Sequence, residues 1–359
     1  MSLYHPVKIG SLELPGNLFL APVAGYTDRA FRSICAEMGA DFSFTELVSA
    51  EALTRNPQYY GLGSNAGHTD KYTGHTSQTA KKSPGNALIK RGSKEKRYSI
   101  QLFGAKPEVL GKACTLLAPL RPEAIDLNAG CPVPKVIKAG AGSALMKDPA
   151  MLGHAIEAMV RSSKEHLEDI PVTVKIRSGW DNTSKNYHEC ARIAAEAGAA
   201  MVSLHPRTRS QGYGGKSDWS LIADLASVLP VPVTGSGDLY TPEDARNMLT
   251  ETGCAAVMFA RGAMGNPFIF SATKSFLDTG TWTAPEAAEK LGIALQHLEM
   301  LAEDLGEKRA CLEMRKQFCS YTKGVMGLPG ISGGAALREK IVRAATIAEY
   351  RKILLYYMQ

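Results

Sequence analysis

The chain has 359 residues, of which 45% are hydrophobic and 21% charged, and its formal net charge is +6. This composition is typical of a globular protein, and no apolar run reaches the roughly 18 residues of a membrane span. The N-terminal segment carries no secretory signal, and the seven cysteines form no CxxC pair, which argues against a disulfide framework or a zinc cluster. We therefore expect a cytoplasmic protein with neither a membrane segment nor a bound metal.

Apolar runs alternate with amphipathic segments from Leu18 to Ala260, a pattern typical of parallel strands joined by helices. No GxGxxG motif follows the first run, which argues against an open dinucleotide-binding sheet. The predicted fold is therefore an α/β (β/α)8 TIM barrel. Its eight predicted strands are Leu18–Ala21, Phe42–Thr45, Tyr98–Leu102, Ala124–Leu127, Val172–Ile176, Met201–His205, Val231–Thr234 and Ala256–Ala260.

The segments between most of these strands place apolar side chains at helical spacing. Thr241 is expected to cap the last of the barrel helices, and Gly39, Gly198 and Gly253 are expected to end helices. The predicted helices are Asp28–Met38, Lys106–Leu117, Asp148–Lys164, Asn186–Ala197, Trp219–Val228 and Pro242–Thr252.

Residues 61–97 interrupt this alternation between the second and third predicted strands. They hold eight basic residues against two acidic ones, which accounts for the whole net charge, and they show little periodicity. We predict a long, mobile insertion on the catalytic side of the barrel, because it follows a strand rather than a helix. Its charge is compatible with a polyanionic partner, and equally with a solvated loop.

After Gly280 the strand signals stop. Helices are predicted over Ala284–Leu305, Lys308–Met326 and Ala335–Tyr357, with a glycine-rich break at 327–334. The sequence therefore predicts two domains, a barrel over residues 1–280 and an all-α domain over residues 281–359.

The chemistry of a TIM barrel lies at the C-terminal ends of its strands. The seventh and eighth strands end in Gly235–Asp238 and Ala260–Gly262, two glycine-rich turns at the usual place for a phosphate. Lys175 lies within the fifth strand, where an unpaired ammonium is costly. An anionic reduced flavin would be a suitable partner for it, and an ion pair with an Asp or Glu in the barrel lumen is the alternative.

Cys131 follows the fourth strand, between Gly130 and Pro132, whereas the other cysteines mostly fall in helical segments and are expected to lie in the core. A thiol whose pKa is about 8.5 stays largely protonated at neutral pH and can act as a general acid. A nucleophile and an inert loop cysteine are the alternative interpretations.

Six motifs follow one another along the chain: Ala21–Asp28 with Phe31-Arg32, Asn128–Val136, Gly140–Leu145, Val174–Gly179, His205–Arg209 with Gly212-Tyr213, and Ser236–Asp238. In this order they resemble the signatures of the tRNA-dihydrouridine synthases, and the arrangement is similar to that of the bacterial B subgroup.

The resemblance implies FMN in the barrel, NADPH as the reductant and tRNA as the substrate. It also implies that hydride passes from the flavin to C6 of a uridine while the Cys131 thiol protonates C5. Asn128 and Arg177 would face the uracil. By motif position, the FMN contacts would be Pro22, Val23, Ala24, Gln101, Lys175, His205, Ser236, Gly237, Asp238, Ala260 and Arg261.

The target base of such an enzyme lies inside a folded tRNA, so it must leave the base stack to react, and a basic surface must bind the phosphates. Lys135 and Lys138 near the active face are candidates for that surface. We also expect the protein to be monomeric. The helical domain adds further candidates, which could equally be solvated: Arg315, Lys316, Lys323, Arg338 and Lys340.

Three positions depart from the family pattern: Ser236 stands in place of an Asn, and Pro206 and Ala260 each stand in place of a Gly. All three lie in the expected FMN shell rather than beside Cys131. Two other functions are compatible with the sequence. One is an FMN barrel acting on free pyrimidines, such as a dihydroorotate or dihydropyrimidine dehydrogenase, and the other is an RNA-binding protein without catalysis.

Overall fold

Strands and helices alternate along the chain in the computed structural model, which describes residues 2–62, 84–323 and 334–358. All eight predicted strands are confirmed, each within two residues of the expected bounds. The strands are β1 (Val7–Ile9), β2 (Leu12–Leu14), β3 (Leu18–Leu20), β4 (Phe42–Phe44), β5 (Val48–Ser49), β6 (Tyr98–Phe103), β7 (Ala124–Ala129), β8 (Val172–Arg177), β9 (Val202–His205), β10 (Val233–Ser236) and β11 (Ala256–Phe259).

The helices that follow the barrel strands agree with the predicted ones, and the capping box of Thr241 and Asp244 begins one of them. The helices in the described residues are α1 (Arg29–Glu37), α2 (Ala50–Arg55), α3 (Pro84–Ile89), α4 (Pro107–Leu117), α5 (Pro134–Lys138), α6 (Pro149–His166), α7 (Tyr187–Glu196), α8 (Ser220–Val228), α9 (Pro242–Thr252), α10 (Ile269–Thr279), α11 (Ala287–Leu305), α12 (Glu307–Tyr321), α13 (Ala335–Arg343) and α14 (Ile347–Met358).

Eight parallel strands form a closed barrel in the order β4-β3-β11-β10-β9-β8-β7-β6. The pairing of β4 with β6 closes it, with Ser43 opposite Tyr98 and Phe44 opposite Ser99. Both faces of these strands are buried, as expected when helices surround a parallel sheet. The TIM barrel prediction is confirmed. Because the eight strands are parallel, their C-terminal ends meet at one rim of the barrel, which is called the rim below.

A short antiparallel hairpin of β1 and β2, which was not predicted from the sequence, precedes the barrel. Val7 and Ile9 alternate with exposed residues, and Gly10 supplies the positive φ of 57° in the turn. The hairpin packs against Phe19, Phe42 and other residues near the starts of the barrel strands. It therefore covers the end of the barrel opposite to the C-terminal ends of the strands.

The prediction of one irregular insertion over residues 61–97 is wrong for its last part. Residues 63–83 lie outside the described residues. Residues 84–97, by contrast, form α3 and a segment that is held against the barrel by ion pairs. The Arg32 guanidinium lies 2.9 Å from the Glu95 carboxylate, and both side chains are fully buried. Arg91 forms an ion pair with Glu123 at 2.8 Å. Charges that sequence analysis assigned to a basic arm are thus partly used in packing.

The last predicted helix, Ala335–Tyr357, is divided into α13 and α14. The Thr346 hydroxyl accepts a hydrogen bond from Glu349 N, and the Glu349 carboxylate accepts one from Ala345 N at 2.7 Å. This reciprocal cap starts a new helix, which is why the segment does not continue as one. The predicted break at 327–334 lies mostly outside the described residues. None of the helices within the described ranges is long and apolar enough to span a membrane.

Candidate active site

Cys131 lies on the loop that follows β7, at the C-terminal rim of the barrel. Its backbone N–H donates to Asn128 Oδ1 at 2.9 Å, and its carbonyl accepts from the Ser143 hydroxyl at 3.0 Å. The residue is 9% exposed and lines a pocket of about 450 Å³. The loop is therefore held on both sides while the thiol faces an open space.

The charge state of the thiol follows from its surroundings. Burial raises the pKa of Cys131, and a backbone hydrogen bond at Val133 and the charges of Arg177 and Lys175 oppose that rise only in part. The thiol is therefore protonated at neutral pH. A protonated thiol beside a pocket can deliver a proton to a bound molecule.

Lys175 lies in the C-terminal half of β8 and also lines this pocket. Burial and the neighbouring Arg177 lower its pKa to about 8, although the charges of Asp126 and Cys131 oppose this. None of the ion pairs in the described part of the chain involves Lys175, so the alternative of an ion pair in the barrel lumen is not observed. An ammonium in this position favours an anionic ligand.

The turn after β10 is built around a buried arginine. The Arg207 side chain is 2% exposed, and it donates to both carboxylate oxygens of Asp238, at 2.9 and 2.7 Å. Arg261 donates to the same carboxylate at 3.0 Å. Burial alone would raise the pKa of Asp238, but the bonds from Arg207 and Ser217 hold it below its usual range.

Gly237 and Asp238 both have positive φ, 121° and 55°, so the chain reverses tightly at the rim. A Cβ on Gly237 would lie 3.0 Å from His205 Cδ2 and closer still to the Ser217 hydroxyl, so a larger residue does not fit. The turn lines the pocket beside the Arg261 guanidinium, whereas Arg207 lies behind it and is engaged by Asp238 and backbone carbonyls. This combination suits a phosphate.

His205 stands at the end of β9 and lines the pocket. Burial and the charges of Lys175, Arg177, Arg207 and Arg261 lower its pKa to about 2. The imidazole is therefore neutral at physiological pH. Because Arg207 Nη1 lies 3.4 Å from Nε2 and can only donate, the proton of the neutral ring is on Nδ1.

The loop after β3 also lines the pocket, and it contacts α12. Gln317 Nε2 donates to the carbonyl of Gly25 at 3.1 Å, and Lys316 Nζ lies 4.1 Å from the centre of the Tyr26 ring. Gly25 N donates to Glu46 at 2.7 Å. The C-terminal helices thus contact a segment that lines the pocket.

Thirteen of the fifteen predicted site residues surround this one pocket. Gln101 and Lys135 do not. Gln101 is fully buried behind Asn128, and its amide is hydrogen-bonded to Asn128 and Asp126. Lys135 is exposed on α5, beside the rim. Those that line the pocket are Pro22, Val23, Ala24, Asn128, Cys131, Lys175, Arg177, His205, Ser236, Gly237, Asp238, Ala260 and Arg261.

Two of these residues also hold the rim loops together. Asn128 Oδ1 accepts from the backbone N–H groups of Gly130 and Cys131. Arg177 donates to Gly130 O at 2.9 Å and to Thr208 O at 3.0 Å. Ser236, one of the departures from the family pattern, donates its hydroxyl proton to a backbone carbonyl at 3.0 Å.

Several residues in and beside the pocket were not predicted from the sequence. Arg207, which lies behind the pocket rather than in its lining, was visible only as part of a motif, and its buried position depends on the fold of the following loop. Tyr213, 61% exposed, lies over Arg261 at 4.9 Å, and Tyr240 lies over the same guanidinium at 5.4 Å. Tyr26 also lines the pocket. Aromatic residues in the loops after the strands were the available signal.

Most of the basic residues proposed for the C-terminal helices are used within the protein. Arg315 donates to the carbonyl of Ala344, and Arg338 to the Thr322 hydroxyl. Lys340 lies over the Tyr356 ring at 5.4 Å. Lys323 is exposed. The helices therefore offer fewer unengaged cations than the charge count indicates.

Solved structures share the fold at low sequence identity. Histamine dehydrogenase from Rhizobium sp. 4-9 superposes with a TM-score of 0.54 at 12% identity, over 83% of this chain and 51% of that one. The 6-hydroxypseudooxynicotine amine oxidase of Pseudomonas geniculata N1 gives 0.55 at 11% identity, over 81% and 52%. These similarities concern the barrel fold alone.

Sequence comparisons are more specific. A probable tRNA-dihydrouridine synthase of Treponema pallidum is 46% identical over 331 residues, 91% of this chain and 90% of that protein. The tRNA-dihydrouridine synthase B of Pseudomonas aeruginosa is 34% identical over 90% of this chain and 88% of its own length. The family model described as dihydrouridine synthase (Dus) matches residues 19–355. With its six ordered motifs and this match over nearly the whole chain, the protein belongs to the dihydrouridine synthase family.

Proposed function

We propose that the protein reduces the C5=C6 bond of specific uridines in tRNA to give 5,6-dihydrouridine, with FMN in the barrel pocket and NADPH as the reductant. The observation that carries this proposal is the position of Cys131, whose protonated thiol faces the same pocket as Lys175. The membership of the chain in the dihydrouridine synthase family supports the substrate.

The residues of the pocket fit an anionic, planar cofactor. Lys175 forms no ion pair in the described residues, although the charge of Asp126 acts on it, and it would meet the anionic edge of the ring system. The turn at Gly237, with Arg261 beside it, would hold the phosphate. The Pro22–Ala24 segment offers small side chains against which a flat ring could lie.

Bound FMN would supply the hydride that adds to C6 of the uracil. The C5=C6 bond of uracil is conjugated with C4=O, so negative charge develops toward C5 as C6 is attacked. Cys131 holds a proton at Sγ for that carbon, and its raised pKa keeps the proton in place until the charge develops. Arg177 and Asn128 orient the loop that carries the thiol.

The target base must leave the stack of a folded tRNA to enter a pocket of this size. We propose that residues 281–359 form a domain that binds the tRNA, and that the exposed Lys135 and Lys138 beside the rim contact phosphates. Binding should then weaken as salt is added, because phosphate contacts release counterions.

The function is tested by nucleoside mass spectrometry on unmodified tRNA after incubation with the purified protein, FMN and NADPH. We expect dihydrouridine to appear, and to be abolished or sharply slowed in Cys131→Ala. Cys319→Ala, which alters a partly exposed cysteine on α12, is the matched control and should keep full activity. Bound FMN without dihydrouridine, together with turnover of free pyrimidines, would overturn the proposal.

A further inference from the structure

A buried carboxylate lies behind the Cys131 loop and is used by none of the steps above. Asp126, in the middle of β7, is fully buried. Its two oxygens accept hydrogen bonds from the Thr173 hydroxyl at 2.5 Å and from Gln101 Nε2 at 2.7 Å. Burial raises its pKa to about 6, opposed by these two bonds and by the charge of Lys175, so it is mostly ionised at neutral pH.

A continuous chain of hydrogen bonds joins this carboxylate to the backbone of Cys131. Gln101 donates to Asp126, and Gln101 Oε1 accepts from Asn128 Nδ2 at 2.8 Å. Asn128 Oδ1 in turn accepts from Gly130 N at 3.2 Å and from Cys131 N at 2.9 Å. The three side chains come from two neighbouring strands, β6 and β7.

The direction of this chain is fixed from both ends. A backbone N–H can only donate, so Asn128 must turn its oxygen toward Cys131 and its NH2 toward Gln101. Gln101 must then present its oxygen to Asn128 and its NH2 to residue 126. The residue at position 126 must therefore accept, and an ionised carboxylate is the side chain that only accepts.

We propose that Asp126 is a positioning residue for Cys131: by accepting from Gln101 it sets the orientation of both amides, and so keeps the Asn128 oxygen on the backbone of the Cys131 loop. The inference rests on the proposed function for its relevance to uridine reduction. Asp126 does not line the pocket, so it acts through Gln101 and Asn128 rather than on a substrate. Low local polarity makes each mismatch in such a buried network costly.

Two substitutions test the direction of the chain. In Asn128→Asp, the new carboxylate still accepts from Cys131 N, but Gln101 then lies between two acceptors and can turn its NH2 toward only one. Adding Asp126→Asn reverses the whole chain without leaving a group unpaired. Asn at 126 donates to Gln101 Oε1, Gln101 donates to Asp at 128, and that carboxylate accepts from Cys131. The double variant also keeps the net charge.

The measurement is the rate of alkylation of Cys131 by iodoacetamide in the full chain, followed by peptide mass spectrometry from pH 6 to pH 10. The plateau at high pH reports access to the thiol, and the midpoint reports its pKa. We expect Asn128→Asp to raise the plateau by about tenfold, the factor that corresponds to the loss of one net hydrogen bond. The double variant should return it to within about threefold of the wild type.

Ser99→Ala is the matched control. Ser99 lies on β6 near Gln101, is fully buried, and its hydroxyl has no hydrogen-bond partner in the described residues. Its plateau should equal that of the wild type. Buried Cys190 monitors the fold, because it reacts only if the barrel opens. If Asn128→Asp unfolds, the double variant still tests the inference. A folded double variant whose alkylation plateau equals that of the wild type supports the reversed chain of hydrogen bonds.

A double variant at least as damaged as Asn128→Asp would overturn the inference, as would an unchanged plateau in Asn128→Asp. Dihydrouridine formation by the same proteins separates this inference from the proposed function. If the wild type makes dihydrouridine but Asp126→Asn does not restore the alkylation plateau of Asn128→Asp, only the role of Asp126 is refuted. If the wild type makes no dihydrouridine but the alkylation plateaus change as expected, only the proposed function is refuted.

Discussion

Replacement of Lys175 by Met should stabilise the cofactor-free protein and weaken its binding of FMN. The side chains are similar in length, so Lys175→Met removes the charge and leaves most of the packing in place. In the absence of an anion, the ammonium lies in a half-buried position beside Arg177, with no carboxylate within 4 Å in the described residues. The function proposed for Lys175 therefore comes at a cost in stability.

The magnitude follows from the pKa of Lys175. A fall from 10.5 to about 8 corresponds to about 3 kcal/mol, at ~1.36 kcal/mol for each pKa unit. Water in the open pocket screens part of this penalty, so we expect Lys175→Met to raise the free energy of unfolding by ~1–3 kcal/mol at pH 7.

The pH dependence of stability gives a second check. Between pH 8 and 10.5 the unfolded chain binds a proton at Lys175 that the folded chain has released. The contribution of this group to wild-type stability therefore rises with pH through that window, and its cost is fully present below pH 8. The difference between the wild type and Lys175→Met should shrink toward zero as the pH approaches 10.5.

Urea titrations of the cofactor-free proteins at pH 7, 8.5 and 10 measure this difference, and fluorescence titration with FMN measures the dissociation constant. Lys112→Met, an exposed substitution on α4, is the matched control and should change stability by less than about 0.5 kcal/mol. We expect Lys175→Met to raise the dissociation constant for FMN by about 10- to 100-fold, as for a lost charged hydrogen bond. A destabilised Lys175→Met, or one with unchanged FMN affinity, would refute the reasoning.

Three further predictions concern other sites. Glu95→Ala should cost about 3–5 kcal/mol in the free energy of unfolding, because it leaves Arg32 charged and buried. Glu51→Ala, which removes a partly exposed ion pair with Arg55, should cost less than about 1 kcal/mol in the same urea titration. Thr346→Ala should cost about 1 kcal/mol through loss of the cap of α14, and an unchanged thermal midpoint would contradict that cap. Because the pKa of Cys131 is raised, its alkylation at pH 7 should be slower than that of an unfolded peptide, and a rate already at its plateau at pH 7 would exclude the acid role.

The barrel was predictable because buried parallel strands are short, apolar and separated by amphipathic helices. The division of the C-terminal segment was not predicted, although Thr346 and Glu349 have the spacing of a capping box. Helical periodicity continued through that point and outweighed the local signal. The packing of residues 84–97 was missed for a different reason, since the partner of Glu95 is Arg32, distant in sequence.

The pocket residues were predictable where they follow directly from the ends of the strands, as Cys131 and Asp238 do. Gln101 was placed at the cofactor by its motif, but the strand register sets it behind Asn128. Arg207 could not be recognised as the partner of Asp238, because that pairing depends on how two loops of different length fold over the rim. Contacts across strands and between loops are set by register, which a single sequence does not reveal.

The contacts between the C-terminal helices and the loop after β3 bear on how this architecture can evolve. A polypeptide ended at Gly280 would lose the Gln317 amide from Gly25 and would uncover Phe31, whose ring stacks on His297 at 5.5 Å. Such a barrel would expose apolar surface that the C-terminal helices cover. Exchange of the helices between relatives would succeed only where these partners are matched, so changes selected in the helices and changes selected at the pocket act on a shared set of positions.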